Sequence, residues 1–350
     1  MRTRSARSSV LQILRAAPSS PMQLLLVLLV STFFLWMPQS PPSDWELNTR
    51  GFWANMPQTY LVNRDFVWPP WGLILLLPYY LMQAGGARVL SVLVIAWLTR
   101  ARNWPLSHFF AIALSPYFLL TMAKSNIDIL IIVLPTLLWE YSNGRRWAGV
   151  MRGFALGLLL LKPQCSSLIV IYLLWNGRRE WKMLAQALAT AAILIVPISL
   201  VGNPPLLVQW LSNLTQPSAQ NRFYWTINNL SLTARLGWAS GLGLVLLAVA
   251  LFWLLWRRGR IAWGRDQTLP ALFLASMFAM PYTSMQSLAG ALAFIPAWGG
   301  IWPQWLGIGV LLLNRGSYGD ESFVGFGVGV LALLASSLRA RAPRTNRFAC

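Results

Sequence analysis

The sequence predicts an all-α polytopic membrane protein, a bundle of about twelve transmembrane helices forming one integral membrane domain over 1–350. Three observations lead there. Hydrophobic residues make up 56% of the chain and charged residues only 11%, against roughly 25% charged in soluble domains, and the mean hydropathy is +0.54. Apolar stretches recur thirteen times. The 28 Lys and Arg behind the net charge of +19 fall in short clusters between those stretches. That distribution marks membrane topology rather than a basic binding face, and it excludes nucleic acid as a partner.

The elements follow in order. The basic segment 1–21 (Arg2, Arg4, Arg7, Arg15) precedes the first stretch, 22–37. Met37-Pro38-Gln39-Ser40 is a poor small-residue cleavage site, so this stretch reads as an uncleaved anchor with the N-terminus in the cytoplasm. Stretches follow at 71–81, 87–98, 106–122, 129–139, 149–161, 166–175, 183–201, 241–256, 269–280, 288–298, 305–313 and 323–338. Were all to cross, the clusters Arg100/Arg102, Arg145/Arg146, Arg178/Arg179/Lys182 and Arg257/Arg258/Arg260 would lie outside, against the positive-inside rule. Leaving 71–81 uncrossed turns all four inward, together with the tail 339–350 (Arg339, Arg341, Arg344, Arg347). Trp68-Pro69-Pro70 supports that choice. Proline disfavours helix in the residue before it and tolerates the first turn of the next, which suits a short helix lying in the outer interface. Twelve crossings with both termini cytoplasmic result. The external segments are then 38–70, the turns at Lys124 and Lys162, the long loop 202–238, 281–286 and 314–321.

Chemistry is expected on that external side, where Pro, Asn, Trp and isolated charges collect. Only nine residues of the chain are acidic, and Asp44, Glu46 and Asp65 share the first external loop. Asp44, seven residues past the first span, suits a general base taking a proton from an acceptor hydroxyl, with an ion pair to Arg50 as the plainer alternative. Arg64 beside Asp65 makes a simple ion pair. Lys124 (with Asn126 and Asp128 nearby) and Lys162 (ahead of Pro163) are external cations against the charge bias. Two ammonium groups facing one cavity would bind a phosphate or pyrophosphate, with Arg222 and Arg235 adding to the site, whereas snorkelling to the interface is the alternative. Asn228 and Asn229 offer amides to a sugar, and Ser231 either joins them or caps the following helix. His108, inside an apolar stretch, reads as structural. The two cysteines, Cys165 and Cys350, lie far apart. With one histidine and few external carboxylates, neither a metal site nor a cofactor is expected.

In order along the chain stand an acid in the first loop, an aromatic-Pro-Pro turn, a turn ending in Asn, a Lys-Pro and an Asn-x-Ser-Leu. This order resembles glycosyltransferase family 87, the polyprenol-phosphate-mannose-dependent α-1,2-mannosyltransferase-like group of the GT-C superfamily, from about Asp44 to Gln286. The resemblance implies a GT-C-like bundle with Asp44 as catalytic base. Trp68-Pro69-Pro70 matches the family's Tyr-Pro-Pro, and Lys162-Pro163 its Lys-Pro near the donor phosphate. Asn126 is what remains of a Gly-Gln-x-Asn turn, and Asn229-Leu230-Ser231-Leu232 is the Asn-x-Ser-Leu element. After Pro281-Tyr282 the expected His or Tyr-Asp is missing, and Ser284 or Gln286 stands there. The implied reaction is a single inverting displacement on a polyprenyl-phosphate-linked hexose, mannose by family habit, with a glycan or glycolipid acceptor. Lys162, with Lys124 or Arg222, would stabilise the lipid phosphate, and the setting would be a bacterial plasma membrane. A lipid-linked-sugar transporter or flippase and a non-catalytic family member are the alternatives.

Overall fold

The computed structural model describes residues 21–38, 53, 56, 58, 60, 68–215, 231–280, 283, 285–295, 297–313 and 321–340. The regular structure among these residues is helical, with no strand. The chain is an all-α polytopic membrane protein. Helix α1 (Pro21–Trp36) leads to α2 (Gly72–Leu75) and α3 (Leu77–Ala101), then to the pair α4 (Leu106–Ala113) and α5 (Pro116–Ala123). Next come α6 (Asp128–Tyr141), α7 (Ala148–Leu159), α8 (Pro163–Gly177) and α9 (Trp181–Ser199). The remainder comprises α10 (Leu206–Thr215), α11 (Leu232–Leu236), α12 (Trp238–Arg257), α13 (Arg265–Ala279), α14 (Met285–Leu292), α15 (Ala297–Leu313) and α16 (Glu321–Ala340).

Three helical runs among the described residues are each long and apolar enough to cross a membrane: Leu77–Ala101, Pro163–Ser199 and Trp238–Arg257. Helices α4 and α5 make a fourth if taken together across their 58° bend. Other expected crossings are shorter apolar helices, such as Ala148–Leu159. Leucine, isoleucine and tryptophan stand exposed along the outer helices, for instance Ile193 at 70% and Leu247 at 65%. Water would not tolerate so continuous an apolar surface, whereas hydrocarbon solvates it. Inside, α6 is buried on nearly every side, and hydroxyls such as those of Ser91, Thr99 and Thr136 donate to the carbonyl four residues back. That bond gives a polar group a partner where water is excluded.

Two breaks place the site. The first lies in α3, where Gln83 (φ 59°, ψ 179°) leaves the helical region and separates 77–82 from the long leg 84–101. A Cβ on Gly86 would stand 2.7 Å from that of Met82, and one on Gly85 would stand 2.9 Å from Leu35 Cδ1. The glycine pair is what allows so tight a corner. The short pieces after Pro70 are thus set apart from the spanning leg, as the expected interface helix requires.

The second break lies within the 37-residue run Pro163–Ser199. Straight, it would be about 55 Å long, nearly twice a ~30 Å hydrocarbon core. It does not run straight. Helices α7 and α9 lie side by side in the same direction, with Gly149 facing Gln186, Gly153 facing Ala187 and Thr190, and Gly157 facing Leu194. For α7 and α9 to point the same way, α8 between them must return. The turn falls at Arg178–Glu180, where Glu180 (φ −105°, ψ 51°) departs from helix. This is the turn that the Arg178/Arg179/Lys182 cluster demanded. The glycines at four-residue spacing let the two backbones approach, as small residues do between membrane helices.

Candidate active site

Four segments meet at the end of the bundle where α6 and α8 begin. Pro163 occupies the first position of α8 and holds Lys162 out of helix (φ −133°, ψ 66°), so its side chain projects from the helix start. In the facing turn, Asn126 Oδ1 accepts the Asp128 amide at 2.8 Å, which starts α6 with a carboxylate in its first turn. The helix dipole favours a negative charge there.

The two ends are joined by a buried ion pair. Lys162 Nζ donates to Asp128 Oδ1 and Oδ2, both at 2.8 Å, and to Ser287 Oγ at 3.0 Å. Ser287 Oγ in turn donates to Asp128 Oδ2 at 2.5 Å. Asp128 is fully buried and Lys162 is 7% exposed. The Trp68 indole lies 6.0 Å from Nζ, at the outer limit of a cation–π contact, and the Tyr60 hydroxyl fixes that turn by donating to the Trp68 carbonyl at 2.5 Å. Cys165 Sγ reaches Ser287 Oγ at 3.5 Å. Gln286, next to Ser287, accepts the Thr121 hydroxyl on its carbonyl at 3.2 Å. Its side-chain Oε1 is buried without a partner among the described residues. Such an oxygen suits a ligand hydroxyl.

Behind this cluster sits a cation that the sequence reading passed over. Arg88, 2% exposed in the spanning part of α3, donates from Nε and Nη2 to Ser125 Oγ at 3.0 and 2.8 Å. Its Nη1 donates to the carbonyls of Phe34 and Met37, and the Tyr79 hydroxyl donates to the Ser125 carbonyl. One guanidinium thereby ties the exit of α1 to the 124–126 turn. Lysine cannot serve both sides at once. Arg88→Lys is expected to destabilise the protein by about 2 kcal/mol, from lost bonds to a charged donor, and to lower the thermal midpoint in detergent. An unchanged midpoint would show that the clamp does not hold the turn.

Of the residues singled out from the sequence, Trp68, Asn126, Lys162 and Gln286 come together here. Lys124, half-buried, borders the same turn and makes no ion pair among the described residues. Ser231 takes the capping role: its Oγ accepts the Ala234 amide at 3.1 Å and bonds Thr233 Oγ1 at 2.9 Å. His108 is buried against Trp104 with ring centroids 4.0 Å apart. Asp44, Glu46, Asp65, Arg222, Asn229, Pro281, Tyr282 and Ser284 lie outside the described residues. Asp128 and Ser287 were not singled out as site residues. An acid at the head of so apolar a helix was the available signal for the first.

The sequence profile of glycosyltransferase family 87 matches residues 66–284. The chain belongs to glycosyltransferase family 87. It is therefore a glycosyltransferase, acting with a sugar donor and an acceptor. The matched segment contains Trp68, Asn126, Asp128 and Lys162. It begins after Asp44 and ends just short of Gln286 and Ser287. No curated protein and no solved structure matches this family member.

Proposed function

We propose that the protein moves a hexose, mannose by family habit, from a polyprenyl-phosphate-linked donor to an acceptor hydroxyl on a glycan or glycolipid. The observation that carries this reading is the meeting of Lys162, Asp128, Ser287, Asn126 and Trp68 at one end of an apolar bundle, with Lys124 beside them. Asp44 acts as general base. It takes the proton of the acceptor hydroxyl while that oxygen bonds the anomeric carbon, and the bond from that carbon to the phosphate oxygen breaks on the opposite face. One displacement inverts the anomeric centre and leaves the polyprenyl phosphate. That leaving group needs positive charge close by. Lys162 has its donors occupied by Asp128 and Ser287, so it serves as a positioned cation at the floor of the site. Lys124, with Arg222, supplies further positive charge to the leaving phosphate. Gln286 Oε1 receives a sugar hydroxyl. The site faces outward from a bacterial plasma membrane, with both chain termini cytoplasmic.

Membranes containing the protein, given polyprenyl-phosphate [14C]mannose and a glycolipid extract, are expected to transfer label with inversion at the anomeric carbon. The same label supplied as a nucleotide sugar, with polyprenyl phosphate withheld, should give no product. Transfer directly from the nucleotide sugar, or none from any polyprenyl-phosphate hexose, would sink the donor assignment.

A further inference from the structure

The opposite end of the bundle carries a second, unrelated feature. Parallel packing brings the N-termini of α7 and α9 to the same end, and neither helix has a side-chain N-cap. Between them lies an open groove of about 410 Å³ lined by Arg145, Arg146, Arg179, Glu180, Trp181 and Lys182, among others. Glu180 is spoken for, since it pairs with Arg152 at 2.6 Å. Among the described residues none of the four lining cations pairs with a carboxylate. Three of them rest on aromatic groups instead: Arg145 lies over Tyr141 at 4.5 Å, and Arg146 and Lys182 lie over Trp147 and Trp181, each at 5.8 Å. Four cations without a carboxylate partner among the described residues, beside two uncapped helix starts, form a site for a phosphate group.

Its rim indicates which phosphate. Trp181, which lines the groove, and Trp147, between the lining residues Arg146 and Ala148, are each about two-thirds exposed, at 67% and 65%, in the manner of interface tryptophans. From the groove, α9 continues as an apolar outer face with Leu188 and Ile193 exposed. A headgroup in the groove would lay its acyl chains along that face. A free anion would leave it unused. We propose that this groove binds the headgroup of an anionic glycerophospholipid, at the end of the bundle away from Lys162 and apart from the transfer reaction.

The test is lipid retention by the full-length protein in detergent, read by native mass spectrometry with dioleoylphosphatidylglycerol and dioleoylphosphatidylcholine as probes. Phosphatidylglycerol is expected to bind at least about tenfold more tightly. The exposed double variant Arg146→Gln/Lys182→Gln should weaken it about thirtyfold, at roughly fivefold per cation, while melting as the wild type does without lipid. Equal retention of the two lipids, or an unchanged double variant, would overturn the proposal. Competition with inorganic phosphate separates the two sources of the same chemistry. If millimolar phosphate displaces the lipid and itself binds with the same sensitivity to the double variant, the groove is a soluble-anion site and the lipid assignment fails. Should the double variant not fold, the wild-type comparison of lipids and the phosphate competition still decide.

Discussion

Asp128→Ala is expected to destabilise the protein by about 3–5 kcal/mol, the usual cost of removing one partner from a buried ion pair. The reason lies in the geometry. Lys162 Nζ has little access to water at 7% exposure, and Ser287 Oγ, which it also contacts, is a neutral hydroxyl. Without Asp128 it loses the carboxylate that balances its charge among the described residues. The loss should appear as a lower thermal midpoint in detergent and as faster proteolysis. The apolar double replacement Asp128→Leu/Lys162→Met removes both charges and is expected to regain most of that stability, since exchanging a buried pair for packed hydrophobes is often close to neutral. Transfer should not return with it, because the positioned cation is gone. A single variant melting with the wild type would show that the pair holds nothing together. A double variant with full activity would remove Lys162 from the reaction.

Asp44→Asn is expected to lower kcat by roughly 10²–10⁴-fold, the usual contribution of a general base, with the thermal midpoint unchanged. The amide keeps the size of the side chain but cannot take the acceptor's proton. Glu46→Gln and Asp65→Asn are the controls, and each should stay within a few-fold of the wild type. Undiminished transfer by Asp44→Asn would dismiss it as the base, and a loss confined to one control would pass the role there. Arg88 connects this experiment to the fold. It holds the Met37 carbonyl, seven residues before Asp44, so the loop leaves the membrane from a point anchored to the 124–126 turn.

Much of this arrangement was legible because membrane physics leaves simple marks. The cationic cluster Arg178/Arg179/Lys182 located a turn inside what the backbone alone presents as a 37-residue helical run. Trp68-Pro69-Pro70 announced a short helix apart from the next span, and the break at Gln83 supplies the separation. Lys162 and Asn126 stood out as polar residues at the ends of apolar helices. The pairing itself was not legible. Lys162, Asp128 and Ser287 are 34 and 125 residues apart along the chain, and nothing in local spacing says that α6, α8 and α14 begin at one point. Lys162 read in isolation looked like an available phosphate ligand, whereas its charge is already balanced by Asp128. Arg88 was hidden differently. A stretch chosen for its apolar average conceals one cation within it, although a lone charge inside a span is itself a signal. Ser231 had two readings on the page, and the Ala234 amide chose the plainer one.

The shortness of the inner helices carries a consequence for where the chemistry takes place. Helix α6 has 14 residues and α7 has 12, so they are about 21 Å and 18 Å long against ~30 Å of hydrocarbon. Their far ends carry Tyr141 and Trp147, both more than half exposed, which set that end at a lipid–water boundary. Counted from there, Asp128 and Lys162 stop several ångströms short of the opposite headgroups. In the proposed reaction, a sugar carried on a lipid phosphate would have to dip below its neighbours to reach the ion pair. Bilayer thickness then joins side-chain chemistry in deciding what the enzyme can reach.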